Sequence, residues 1–391
     1  MRRDQIAPDR QKYLVPATGY PHAHALVAPP TPRGLPHGAL QQAAFARAHA
    51  ALGRMQGAMA HIPNADMVTR TLARREAVSS SQIEGTKASL PELLTYEATQ
   101  GIGGMTPDVK VTERYVIALQ HGLARIRAEG RAALDLRLIH ELHERLMQDD
   151  ASHFPVGAYR TEQVWIGPTL RIEDATFVPA PPEQVPGCME EMATSILQYA
   201  SREDEQGELT LVAQIAIAHA QFETIHPYHD GNGRTGRLLL PLLLASEGYP
   251  PLYLSGALLR AKTAYYASLA RIQLRGDWAP WLQLLTEAIV ESCNESISIA
   301  QDLVAIAERW EQQLSGYRSH SATRRLPRLL LGHPVLSVQQ AVEGLGVSQP
   351  AANAALNNLL AAGIVSLVNE RQWGRVFQAT DILRRLDTPP G

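Results

Sequence analysis

A chain of 391 residues, 45% hydrophobic and only 6% aromatic, is long enough for two or three domains, and its abundant Ala and Leu favour helices. A net charge of −3, from 36 Lys and Arg against 39 Asp and Glu, gives no global basic character of the kind that draws a protein to nucleic acid. Cys188 and Cys293 are isolated from each other and from any metal-ligand spacing, which fits a reducing compartment. The opening MRRDQIAPDRQ has charge but no apolar stretch behind it, so no signal peptide is expected. The apolar runs fall short of the ~20 residues that span a bilayer, and the expected location is the cytoplasm with no membrane partner.

In chain order, residues 1–37 carry Pro8, Pro16, Pro21, Pro29, Pro30, Pro32 and Pro36 and read as an extended arm over the body, with no evident function. Apolar spacings of three and four predict a helix over 38–61, broken by Pro63 and Asn64, and a second from Ala65. This second helix ends in SSSQIEGT: Ser80 and Glu84 are four apart and Gly85 supplies a C-terminal stop. A glutamate there opposes the helix dipole, so either another group holds Glu84 or it is simply solvated. Helices follow at 109–129 and 134–147. His140 and His143 are three apart, but among leucines a core or surface role outweighs metal ligation.

Residues 154–182 have a different texture. Val164, Trp165, Ile166 and Gly167 are strand-like, Pro168 turns the chain, and Thr176 to Val178 are strand-like again, predicting a β-hairpin or a mere surface excursion. Helices at 183–199 and 209–223 lead to the densest chemistry in the chain, HPYHDGNGRTGR, from His226 to Arg237. Gly231, Gly233 and Gly236 let backbone N–H groups face inward as an anion nest. The apolar run after them reads as a buried helix, kinked at Pro241, whose N-terminus faces the same point. Arg234 and Arg237 share one face of its first turn, and their guanidinium forks suit phosphate oxygens. Asp230, the lone carboxylate beside this nest, suits magnesium that keeps its waters and takes phosphate oxygens as further ligands. His226 suits a general base near neutral pH. Zinc on His226, His229 and Asp230 is disfavoured by Pro227 and the glycines, and no Walker P-loop sequence occurs.

Beyond the signature, 257–276 and 278–299 read as helices. From Arg318, three helices and an alternating SLVNERQWGRVFQAT suggest a helix–turn–helix with a wing. Its third helix, Ser348 to Gly363, has no charged residue, although Asn353, Asn357, Asn358 and Gln349 are of a type that reads bases and Arg371 and Arg375 of a type that meets phosphates. Protein interaction or dimerisation is therefore favoured over DNA binding.

HPYHDGNGRTGR resembles the signature of Fic proteins, HxFx(D/E)GNGRxxR, with Tyr228 where Phe is usual; that position points into the core in the family, so the extra hydroxyl needs a partner. SSSQIEG resembles the family's inhibitory (S/T)xxxE(G/N) motif in its N-terminal placement, and the resemblance covers most of residues 40–290. It implies an all-α fold: a Fic helical bundle with a β-hairpin flap, an N-terminal helical inhibitory domain and a C-terminal winged helix. The domains then run 1–37 (arm), 38–108 (inhibitory), 109–300 (catalytic core) and 318–391 (winged helix). It implies a protein adenylyltransferase that moves AMP from ATP to a Tyr, Thr or Ser hydroxyl of a target protein, the chain itself included. In that reading His226 is the base, Asp230 holds Mg2+, and Gly231, Asn232, Gly233, Arg234, Thr235 and Gly236 bind the phosphates. Arg237 takes the γ end, and Glu84, with Ser80, opposes it. The flap, Val164 to Gly167, borders the nucleotide and registers the target by strand addition. Tyr265 and Tyr266 fall where the family has aromatics near adenine and ribose, or they are core aromatics; Gln273 stands where some members carry an Asn. Rival readings are removal of AMP assisted by Glu84, a DNA-binding regulator with a nucleotide-sensing core, and a toxin.

Overall fold

Ala- and Leu-rich stretches dominate the sequence, and the computed structural model is accordingly helical. It describes residues 3–34, 42–101, 106–150, 154–201, 208–368 and 374–387. In chain order the elements are β1 (Leu14–Ala17), β2 (Tyr20–Leu26), α1 (Gln42–Ala60), α2 (Ala65–Ile83), α3 (Leu90–Thr99), α4 (Pro107–Glu129), α5 (Leu136–Met147), α6 (Val185–Met192), α7 (Leu211–Ile225) and α8 (Asn232–Ser246). There follow α9 (Ser255–Arg260), α10 (Lys262–Arg275), α11 (Ala279–Gln313), α12 (Ala322–Gly332), β3 (Val335–Ser337), α13 (Val338–Leu345), α14 (Gln349–Ala361), β4 (Ser366–Leu367), β5 (Val376–Gln378) and α15 (Thr380–Asp387). The chain forms two compact units, residues 1–52 with 117–291 and residues 53–116 with 292–391.

In the first unit α7 is the axis. Every residue from Val212 to Ile225 is buried, as in a helix surrounded by neighbours on all sides. The Thr210 side chain caps its start, accepting from the Ala213 N–H. Helix α8 packs on α7 across a short loop, is buried from Arg234 to Leu244 and runs unbroken through Pro241. The stretch 257–276, expected as one helix, divides into α9 and α10 at Ala261.

The proline-rich arm is not merely extended. Thr18 and Gly19, the latter at φ 80°, turn the chain so that β1 and β2 pair antiparallel, Leu14 with Leu26 and Val15 with Ala25. Pro16 and Pro21 are tolerable because such a hairpin has solvent-facing edges. Beyond it the arm does lie over the body of its unit. The Gln221 amide donates to the Pro29 carbonyl at 2.7 Å, Glu191 accepts from the N–H and hydroxyl of Thr31, and Arg33 donates to the Ser195 and Ala200 carbonyls.

In the second unit, α2 ends at Ile83 with Glu84 as its exposed cap and Gly85 at φ 101°, the stop expected of that glycine. The Arg74–Glu97 pair at 2.9 Å fixes α2 to α3, and α2 also packs on α12. Among the described residues the C-terminal segment has four helices, α12 to α15, one more than expected, and a three-stranded antiparallel sheet in the order β3-β5-β4. Helix α11 runs to Gln313, well past the expected end near residue 299.

The last carbonyls of α12 lack helical N–H donors, and the Thr71 hydroxyl takes the place of one by donating to the Leu331 carbonyl at 2.6 Å in a fully buried setting. Thr71→Val keeps the shape and removes that donor. It should lower the stability of this unit by about 1–2 kcal/mol in a urea titration; an unchanged midpoint would show that the hydroxyl contributes nothing net.

Candidate functional site

The site begins where α7 stops. His226 takes a left-handed conformation, φ 52°, and its N–H donates back to the Phe222 carbonyl at 2.9 Å. For a residue with a Cβ this costs about 1–2 kcal/mol, so the surroundings must hold it. Arg160 does so. Its Nε donates to the His226 carbonyl at 2.9 Å, and its backbone N–H donates to the Pro227 carbonyl at 3.0 Å. The remaining guanidinium nitrogens donate to the carbonyls of Ala180 at 2.5 Å and Glu162 at 3.2 Å. Arg160 is 5% exposed, and burial pushes its pKa down to about 10, which still leaves it cationic at neutral pH. Nothing in the local sequence GAYRTEQ marks this arginine; only its position between carbonyls that are distant in sequence does.

The loop after His226 is fixed from inside. The Asn232 side chain clamps the Tyr228 backbone, accepting from its N–H and donating to its carbonyl, both at 2.9 Å. Its oxygen and one of its two Nδ2 hydrogens thus serve the loop. Thr235 likewise donates its hydroxyl to the Gly231 carbonyl at 2.9 Å. Gly231, at φ 75°, is the N-cap of α8, and a Cβ there would meet the Met147 sulfur at 2.7 Å. Two features therefore demand glycine. The first N–H to bond back along α8 is that of Thr235, to the Gly231 carbonyl at 3.0 Å. Those of Asn232 and Gly233 precede it and have no acceptor within the helix, at the positive end of its dipole.

Asp230 is exposed at this helix start, and its Oδ1 accepts the Gly231 N–H at 2.6 Å. Its carbonyl accepts from His143 Nε2 at 3.0 Å, while His143 Nδ1 accepts the Gly157 N–H at 2.9 Å. The Gly157 donor thus fixes the tautomer of His143, and burial holds its pKa down to about 4, so the ring is neutral. The ring stacks on Tyr228 with centroids 3.7 Å apart, and the Tyr228 hydroxyl meets His140 Nδ1 at 3.1 Å. The histidine pair expected to be structural is structural, and it supplies the partner that the Tyr228 hydroxyl needs. Among the described residues no three His, Cys, Asp or Glu side chains gather as a metal site; His229 is exposed and tilted against Phe154 at 5.1 Å.

Arg234 is 7% exposed, with a guanidinium nitrogen 3.3 Å from the Met147 sulfur, and Arg237 is fully buried. Gly236 admits no side chain, since a Cβ would lie 2.5 Å from Glu223 Oε1. Its carbonyl accepts from His219 Nδ1 at 3.0 Å, and His219 Nε2 accepts the Tyr265 hydroxyl at 2.8 Å. Tyr265 is 1% exposed and packs on Trp281, so it is the core aromatic of the two alternatives; Tyr266 is outside at 42% exposure. Gln273 donates to the Glu223 carbonyl at 3.4 Å. The flap residues Val164 to Gly167 lie at the surface, and Ile166 pairs with Phe177 through N–H to carbonyl bonds of 2.8 and 3.1 Å. The flap is thus a single bridged pair with a 3-10 turn, Ile172–Asp174, near its tip. Ser80 is buried within α2.

Residues 42–124 match the profile of the Fic/DOC family N-terminal region and residues 133–244 that of the Fic/DOC family itself, so the chain carries both of these regions. Protein adenylyltransferase fic-1 of Caenorhabditis elegans is 34% identical over 149 residues, 38% of this chain and 25% of that protein. Protein adenylyltransferase Fic of Drosophila willistoni is 26% identical over 264 residues, 65% of this chain and 48% of that protein. The chain thus spans between a quarter and about half of these relatives' lengths. In fold it is similar to a Fic family protein from Desulfovibrio desulfuricans G20, with a TM-score of 0.54, 20% identity, and 92% and 99% of the two chains covered. A Fic domain containing signaling protein from Bacteroides thetaiotaomicron VPI-5482 gives 0.53 at 19% identity, covering 66% and 97%. Among the described residues no helix is long and apolar enough to cross a membrane.

His219 makes a pH prediction. Burial holds its folded pKa down to about 3 against 6.5 in the unfolded chain. Between those values the unfolded chain binds a proton that the folded one refuses, so stability rises with pH across the window. The contribution is fully present above about 6.5 and is lost as pH falls toward 3. Urea titrations over that range should show a steeper acid-side loss for the wild type than for His219→Gln; equal slopes would contradict a neutral, doubly bonded His219.

Proposed function

We propose that the chain is a protein adenylyltransferase, a nucleotidyltransferase that moves AMP from ATP to a hydroxyl of a target protein. The observation that carries this is the strained, carbonyl-anchored His226 beside the open N-terminus of α8, with Asp230 at the rim and Arg234 and Arg237 on the helix behind it. Those parts match what transfer from a triphosphate requires: a base, an anion nest and buried positive charge. The names of the relatives point to the same reaction.

In this reading His226 takes the proton of an acceptor hydroxyl as its oxygen bonds to the α-phosphorus. The bond from that phosphorus to the bridging oxygen breaks, and pyrophosphate leaves with the electron pair. The N–H groups at the start of α8 and Arg234 hold the phosphates, and Arg237 takes the γ end. Asp230 is a lone exposed carboxylate, which fits Mg2+ that keeps waters and binds phosphate oxygens; the ion's contribution is to neutralise charge developing on the leaving group. Glu84 at the end of α2 is assigned as the internal inhibitor competing for Arg237, on the strength of the SSSQIEG motif and its exposed cap position.

The segment from α12 to α15 is read as a winged helix that meets protein. Asn353 and Asn357, the residues suited to bases, both accept from the Arg375 guanidinium at 3.0 Å, and Arg371 lies outside the described residues. We place the protein in the cytoplasm, where Cys188 and Cys293 stay reduced; both are unpaired thiols here.

The test is transfer of label from ATP labelled at the α-phosphate, with Mg2+, to the protein and to lysate proteins. Glu84→Gly should label at least ~10-fold more strongly than the wild type, equivalent to about 1.4 kcal/mol of relieved competition. Adding His226→Ala should abolish that signal. ATP binding without transfer in any variant would overturn the assignment.

A further inference from the structure

We propose that the N-terminal hairpin β1–β2 is the positioning element of the flap: it completes a small sheet whose free edge is Val164–Gly167. By itself the flap is a poor template. It has one bridged pair, Ile166 with Phe177, and an isolated two-stranded hairpin is marginal in water. Strand addition needs an edge that is already extended and held.

The hairpin supplies the missing side. Phe177 directs both its N–H and its carbonyl to Ile166. The next carbonyl along, that of Val178, must point the opposite way in an extended strand, and there it accepts the Leu26 N–H at 2.9 Å. Leu26 also forms a parallel bridge with Pro179. The return segment of the flap is therefore sandwiched, with Ile166 on one side and the end of β2 on the other.

Two independent ties accompany this backbone link. Tyr20 meets Trp165 edge-on with ring centroids 5.5 Å apart, and His22 contacts Glu173 on the 3-10 turn at 2.8 Å. Beneath them Ala17, Ala25 and Leu26 share one buried apolar cluster with Ile172, Phe177 and Val178. This cluster contains no residue of the nucleotide loop. Loss of the hairpin should loosen the flap and leave the 226–237 loop in place, because that loop is held by Arg160, Asn232 and His143.

The mechanical part of this proposal stands alone; its consequence for transfer rests on the adenylyltransferase reading. The experiment uses the full chain with Leu26→Asp and, as a milder change at a residue packed on the rim of the buried cluster, Tyr20→Ala. Amide hydrogen exchange of Ile166 and Phe177 should accelerate by about tenfold or more in Leu26→Asp and by a few-fold in Tyr20→Ala, while the amides of 226–237 keep their protection. In the Glu84→Gly background, labelling of lysate proteins should fall with the flap's protection, and the ATP concentration for half-maximal labelling should not move. Wild-type protection of Ile166 and Phe177 in both variants would overturn the proposal. So would faster exchange spread evenly over the whole unit in Tyr20→Ala. Absence of labelling in Glu84→Gly itself would remove the transferase reading, while the exchange data would still decide whether the hairpin holds the flap.

Discussion

The site depends on one buried guanidinium. Arg160 donates to carbonyls of His226, Glu162 and Ala180, and its backbone holds Pro227. It thereby joins the base of the flap to the residue that ends α7. A cation in this position suffers desolvation, visible in its lowered pKa. It remains there because three carbonyls that belong to no helix or strand ladder, that of buried Ala180 among them, take its hydrogen bonds. The left-handed His226 persists because these bonds over-determine it.

From that anchor the rest of the loop follows in short steps. Asn232 closes the turn on Tyr228, His143 carries the Asp230 carbonyl, and Gly231 allows α8 to start against Met147. All three contacts are made by the chain's own atoms, so the chain itself fixes the loop. Preorganisation of this kind is what electrostatic catalysis requires, since donors that need not move lose nothing when charge develops. On the far side of α8, neutral His219 links the Gly236 carbonyl to Tyr265 and sets the depth of the helix against the core.

How much of this was legible in the sequence varies by the range of the interaction. The signature, the helix that delivers it and the stop at Gly85 are local patterns, and each sits where the sequence places it, whereas the flap strands reduce to one bridged pair, Ile166 with Phe177. Arg160, His143 and His219 act through residues up to 87 positions away, and no local pattern announces such partners. Asn232 has a role of the same hidden kind: beside the phosphate that its residue type suits, its amide holds the Tyr228 N–H and carbonyl. The hairpin β1–β2 was hidden by Pro16 and Pro21, which read as breakers although an edge strand tolerates them. Tyr265 and Tyr266, adjacent in sequence, separate into core and surface because successive helical positions face about 100° apart.

The most direct measurement is transfer and ATP affinity side by side in Arg160→Met, made in the Glu84→Gly background. If Arg160 positions His226 and the loop otherwise holds itself, ATP affinity should change by less than about threefold while transfer falls by roughly a hundredfold, the cost of misplacing a reacting group by about 1 Å. Transfer at the parental rate, with the variant folded and ATP bound, would contradict the view that this guanidinium sets the geometry of the site.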